Sequence, residues 1–137
     1  MKLAAINIVA GILSGMKINK ITDKEVKAAL VNDYLHLRKF VKDAEEERKE
    51  LVEKFQDDWK EELPLVEAFR RENKPVVGHK EYLEAELDAN NAIAGIFDRD
   101  VEVNIKPVPM DDFVSACGNE ELTLEQFAFL QDCGIIE

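Results

Sequence analysis

Residues 22–58, TDKEVKAALVNDYLHLRKFVKDAEEERKELVEKFQDD, decide the fold. Positions alternating by four and three from residue 30 hold Leu30, Tyr34, Leu37, Val41, Ala44, Arg48, Leu51, Phe55 and Asp58. Seven of these nine are apolar, which is the seam of a coiled-coil-like helix rather than a chance amphipathic run. Charges fill the other faces, and Glu45–Lys49 and Glu50–Lys54 stand four apart with the acid first, the stabilising order. Val31, Leu35, Phe40, Val52 and Trp59 fall off the seam, so the helix should meet more than one neighbour. Its start is marked by Thr22 with Glu25 three residues on, a capping box, and by Ile21 and Val26 at the staple positions.

The long helix falls over 22–60, and its stretch from about 23 to about 58 would be on the order of 54 Å long. A compact domain of this size has a radius of gyration of roughly 14 Å. The expected molecule is therefore elongated, with its seam covered by a returning helix or by a second chain.

Working outward, Leu3, Ile6, Val9, Ala10 and Leu13 give a short amphipathic helix over 3–14, closed by Gly15. Pro64 suits the first turn of a short helix over 63–73, and Asn73 to Gly78 reads as a turn. Residues 79–97 form the returning helix, with Tyr82, Leu83, Leu87, Ile93, Ile96 and Phe97 among its apolar positions. Val101-Glu102-Val103-Asn104-Ile105 alternates at period two and predicts a strand over 101–106, ended by Pro107 and Pro109. A helical segment over 111–132 closes the chain, interrupted at Gly118. It restarts at a second capping box of Thr123 and Gln126 with Leu122 and Phe127 as its staple, and Gly134 supplies the stop. The expectation is one mainly α domain over 1–137, a long-helix hairpin with a minor β element. Its small strand-containing base would be formed by the connector near Ile18 and by Val101–Ile105.

The chain has 137 residues, 46% hydrophobic and 34% charged, with a formal net charge of -11, so a folded domain is expected and wholesale disorder is not. There is no 18-residue apolar stretch, which removes a helical membrane span. The start lacks a long basic region and a cleavage site, so it reads as a mature helix and the expected compartment is the cytoplasm. The charge is uneven: +4 over residues 1–40, -5 over 41–62, -2 over 63–97 and -8 over 98–137. An acidic surface repels phosphate backbones, so nucleic acid is disfavoured. Lys17, Lys20, Lys24 and Lys27 form a basic exception without interleaved aromatics. They read as a solvated helical face, or as a surface docking against acidic residues of the same chain or a neighbouring copy.

Candidate chemistry is sparse. Asp98, Asp100, Glu102 and Asn104 alternate as in a calcium loop, but Val103 stands where that loop needs Gly and Pro109 where it needs the bidentate Glu. The same alternation is the solvent face of a strand. His36 and His79 have no partner at a spacing that would orient a general base. Cys117 and Cys133, sixteen apart, make neither a zinc pattern nor an activated thiol and read as small hydrophobes. No glycine falls in a phosphate-binding pattern and neither serine in a nucleophile elbow. No catalytic residue, metal, cofactor or small-molecule substrate is indicated.

The run Lys24-Glu25-Val26-Lys27-Ala28-Ala29-Leu30, with Leu35, Leu37-Arg38-Lys39 and Glu46-Glu47-Arg48-Lys49-Glu50-Leu51-Val52-Glu53-Lys54-Phe55, resembles small acidic proteins of unknown function encoded by tailed phages and prophages. Those chains share a short first helix, a long charged helix, a turn and a second helix. They also share a strand like Val101–Ile105 and a segment like Met110-Asp111-Asp112-Phe113. The resemblance spans roughly residues 3–130, with a longer Pro64–Asn73 segment here. It implies an assembly or accessory role and brings no catalytic residues. The expected function is thus a non-enzymatic interaction or assembly protein whose seam of Leu30, Tyr34, Leu37, Val41, Ala44, Leu51 and Phe55 takes a protein partner or a second copy. The alternatives are an acidic regulator that mimics nucleic acid before a basic partner, and an enzyme with an unrecognised site.

Overall fold

In the computed structural model, residues 1–117 and 122–137 are described. Among them six α-helices follow in order: α1 Leu3–Ser14, α2 Lys24–Asp58, α3 Leu63–Arg71, α4 Lys80–Phe97, α5 Met110–Ala116 and α6 Leu124–Asp132. The fold is mainly α, as the apolar periodicity predicts, and the 35-residue α2 dominates it. The described residues cluster into two compact units. Unit 1 joins Met1–Asp43 to Arg99–Glu137, and unit 2 is Ala44–Asp98.

Unit 1 is built on α1, the first part of α2, and the C-terminal segments. α1 buries the five residues its spacing selects, Leu3, Ile6, Val9, Ala10 and Leu13. Around them Leu30, Leu37, Val108, Phe113, Leu130 and Ile135 are fully or nearly fully buried. The connector near Ile18 is a 3-10 turn, Ile18–Lys20, and makes no part of a sheet.

The N-terminal cap of α2 is Asp23 rather than Thr22. Its Oδ1 accepts from the backbone N–H of Glu25 at 2.9 Å and of Val26 at 3.2 Å, satisfying two of the orphan donors at the helix start. The second capping box forms as expected. Thr123 Oγ1 accepts from the Gln126 N–H, and Gln126 Oε1 accepts from the Thr123 N–H. The expected helical segment over 111–132 is two helices, and its predicted interruption at Gly118 lies outside the described residues.

The predicted strand over 101–106 is not one. The segment keeps its alternation, with Val101, Val103 and Ile105 half-buried and Glu102, Asn104 and Lys106 exposed. Only isolated bridges flank it, Lys2 with Asp100 and Val108 with Ile136. The physical reason lies in its partners. Val101 exchanges both hydrogen bonds with Met1, at 2.9 and 3.0 Å. The next two bonded donors then go to side chains of α2: Asn104 N–H to His36 Nε2 at 3.0 Å and Lys106 N–H to Asp33 Oδ1 at 2.9 Å. A helix face thus takes the place of a neighbouring strand.

α6 ends in a Schellman turn. Gly134 sits at φ 82, its N–H bonds Gln131 O, and the Ile135 N–H bonds Leu130 O. This aims Ile135 and Ile136 into the core and lets Val108 bond both Ile135 and Glu137. A Cβ on Gly134 would lie 3.8 Å from Ile105 Cδ1, an ordinary contact, so the cost of substitution is backbone strain. Gly134→Ala should lose about 1–2 kcal/mol, read as a lower urea midpoint with an unchanged slope.

Unit 2 packs the second part of α2, α3 and α4. Its buried residues are Ala44, Val66, Tyr82 and Ile96. Tyr82 lies 5.3 Å from the Phe55 ring and 5.8 Å, edge-on, from the Trp59 ring. Pro64 stands in the first turn of α3. That helix closes with a second Schellman turn in which Asn73, at φ 55, takes the left-handed position.

Candidate interaction surfaces

The seam residues do not share one environment. In unit 1 Leu30 and Leu37 are buried while Tyr34 and Val41 are half-buried; in unit 2 Ala44 is buried while Leu51 and Phe55 are half-buried. Arg48 lies half-buried against Glu45, its Nε and Nη2 both donating to one carboxylate oxygen, and Asp58 is exposed.

Within unit 1 the half-covered seam residues line a groove between α1 and α2. At one end its walls are Leu13, Met16, Ile18, Leu30 and Val31. At the other they are Asn7, Ala10, Gly11, Arg38, Val41 and Lys42. Ser14 and Tyr34 belong to both ends, so the two are continuous. Along its α2 wall, from Leu30 to Lys42, the groove runs about 18 Å. Its floor is apolar, its charged members are Arg38 and Lys42, and no lining residue is acidic, although the chain carries 29 acids against 18 bases. Gly11 faces open space, with nothing within 4 Å of where its Cβ would stand.

Within unit 2 a cleft opens over Val52, Phe55, Leu63 and Ile93, with Arg70 and Glu86 on its rim. Arg70 grips Glu86 with both nitrogens of its fork, Nη1 donating to Oε2 at 2.8 Å and Nη2 to Oε1. This hydrogen bond holds the Glu86 carboxyl below its ordinary 4.5, against the opposing effect of burial. Burial, with Glu86 adding to it, pushes the Tyr82 phenol up. Because the folded value of Glu86 is depressed, the unfolded chain binds the proton more tightly. The stabilisation is therefore complete above about 4.5 and is lost as pH falls through the folded value. Glu86→Gln should cost about 0.5 kcal/mol at neutral pH, solvent screening keeping it small. It should also flatten the acid limb of unit 2 stability followed by Trp59 fluorescence.

The histidines have partners that no spacing announced. His36 accepts from Asn104, which requires a neutral ring with its proton on Nδ1, and stands edge-on to Phe40 at 5.3 Å. His79 Nδ1 lies 3.1 Å from Glu62 Oε2. Asp33, 3% exposed, was singled out by no sequence signal; its Oδ2 has no partner among the described residues, and desolvation raises its pKa. Its role is structural, since its other oxygen holds Lys106.

Cys117 is buried, with its thiol 3.4 Å from Phe113 O. Burial and then Asp132 push the Cys133 thiol up, away from thiolate chemistry. Asp98, Asp100, Glu102 and Asn104 are all exposed. Among the described residues no group of three or more His, Cys, Asp or Glu stands together as a metal site. No described helix is long and apolar enough to cross a membrane. Comparison with protein-family models, with curated proteins and with solved structures returns no match.

Proposed function

We propose that this chain is a non-enzymatic interaction or assembly protein that associates through the α2 seam, in the accessory role that its resemblance to phage-encoded chains implies. The observation that carries this reading is the half-exposed state of Tyr34 and Val41 in a groove whose floor is apolar. Apolar helix faces left open in this way are the usual seats of partner helices. Val41 lies outside the fully buried core, so Val41→Asp places a charge in the groove without emptying the interior. Light scattering and melting of the two proteins should show a lower mass and a lower stability for the variant. Unchanged mass and stability would remove the seam as an interface.

A second reading rests on the acidic end of the chain. Asp98, Asp100, Glu102, Asp111, Glu125, Asp132 and Glu137 are exposed, as a nucleic-acid mimic facing a basic partner requires. Association of that kind weakens steeply with added salt.

A further inference from the structure

We infer that the groove between α1 and α2 of one copy receives the outer face of α4 from a second copy. The inference rests on the association reading above and names the occupant of the seam. Three observations support it: charge, length and the position of one exposed leucine.

The groove presents Arg38 and Lys42 above an apolar floor and has no acid in its lining. Neither cation has an ion-pair partner among the described residues. The occupant should therefore bring an apolar knob flanked by carboxylates. α4 offers that on the face left open in unit 2. Leu87 is 61% exposed midway along the helix. Glu84 stands one turn before it and Asp88 immediately after, both exposed. Glu84 makes an exposed 3.9 Å pair with Lys80 that a stronger cation can replace. Asn91 and Ala94 continue the same face at helical spacing, also exposed.

From Glu84 to Ala94 this face runs about 15 Å, which fits within the about 18 Å of the groove's α2 wall. Ala10, Gly11 and Ser14 on the α1 wall are small, and the open space at Gly11 leaves room for a helix backbone to approach closely. A glycine inside a helix is destabilising and has no packing partner within the chain here. A neighbouring helix supplies one. Each copy carries both the groove and the α4 face, so one contact type suffices for self-association. With both copies at -11, long-range repulsion opposes their approach, and the local match of Arg38 and Lys42 to Glu84 and Asp88 decides the register.

The test is charge reversal and its repair, followed by sedimentation or light scattering from about 10 µM to about 500 µM, the range in which a contact of this kind reports. The parent should move with concentration from 15.6 kDa to higher mass, without a fixed stop at two copies. A groove-to-α4 contact leaves a free groove and a free α4 face on the assembly. Arg38→Glu with Lys42→Glu should weaken association at least tenfold with an unchanged melting temperature, since both side chains are exposed. Adding Glu84→Lys and Asp88→Lys to the same chain should restore it, and Leu87→Asp alone should abolish it. A parent that stays at single-chain mass throughout overturns the proposal, as does association that survives the double reversal. If Val41→Asp dissociates the protein while the charge reversals and Leu87→Asp do not, the seam stands as the interface and α4 is excluded as its occupant.

Discussion

Phe113→Ala should lower the stability of unit 1 by about 3–5 kcal/mol, the range for emptying a fully buried aromatic site. Phe113 has no solvent exposure and stands edge-on to Phe127 at 6.1 Å, so α5 and α6 are joined through it. Domains of this size carry about 5–15 kcal/mol in all, and the loss would consume a large share of that. Phe113→Leu keeps most of the volume and should cost about 1 kcal/mol. The measurement is a pair of melts. Far-UV circular dichroism follows both units, while the single tryptophan, Trp59, reports on unit 2. The dichroism midpoint should fall by more than the fluorescence midpoint. An unchanged dichroism midpoint would show that Phe113 is not the packing centre its burial makes it.

Tyr82→Ala is the matching experiment in unit 2, with an expected loss of about 3 kcal/mol. Tyr82 is 2% exposed and touches the rings of Phe55 and Trp59, so its removal uncovers both. Tyr82→Phe keeps the ring and loses only the hydroxyl beside Glu86, whose carboxylate is still gripped by Arg70. It should cost under about 1 kcal/mol. Native Trp59 emission should shift to the red in Tyr82→Ala and hold its position in Tyr82→Phe. Equal losses in the two variants would place the stabilising contribution in the hydroxyl instead of the ring stack.

What the sequence discloses about this fold is what depends on local spacing. The stripe of Leu3, Ile6, Val9, Ala10 and Leu13 names the buried face of α1 because helix periodicity is a property of neighbours. The Thr123–Gln126 box and Gly134 are legible for the same reason, since each acts within a few residues. Thr22 and Asp23 are both competent caps, and a choice between adjacent residues turns on a backbone angle that composition does not carry.

The segment 101–106 shows the other limit. Its alternation is visible, but a ladder needs a partner, and the acceptors it finds on His36 and Asp33 are 68 and 73 residues away. The groove was half legible: Tyr34 and Val41 lie on the seam, while the wall that α1 supplies follows only from tertiary packing. The division into two units was not legible, because the seam runs through both without a break in its period.

That division sets an order of events when the chain is made. Every contact that defines unit 2 lies within residues 44–98, so its contact order is low and it can close once that stretch is complete. Unit 1 has to wait for residues 99–137, and until they arrive His36 and Asp33 on α2 lack the backbone donors of Asn104 and Lys106. On a ribosome adding about 5–20 residues per second, that interval lasts a few seconds. During it the N-terminal half of α2 is without the C-terminal segment of its own unit, the stage at which a chaperone would be engaged.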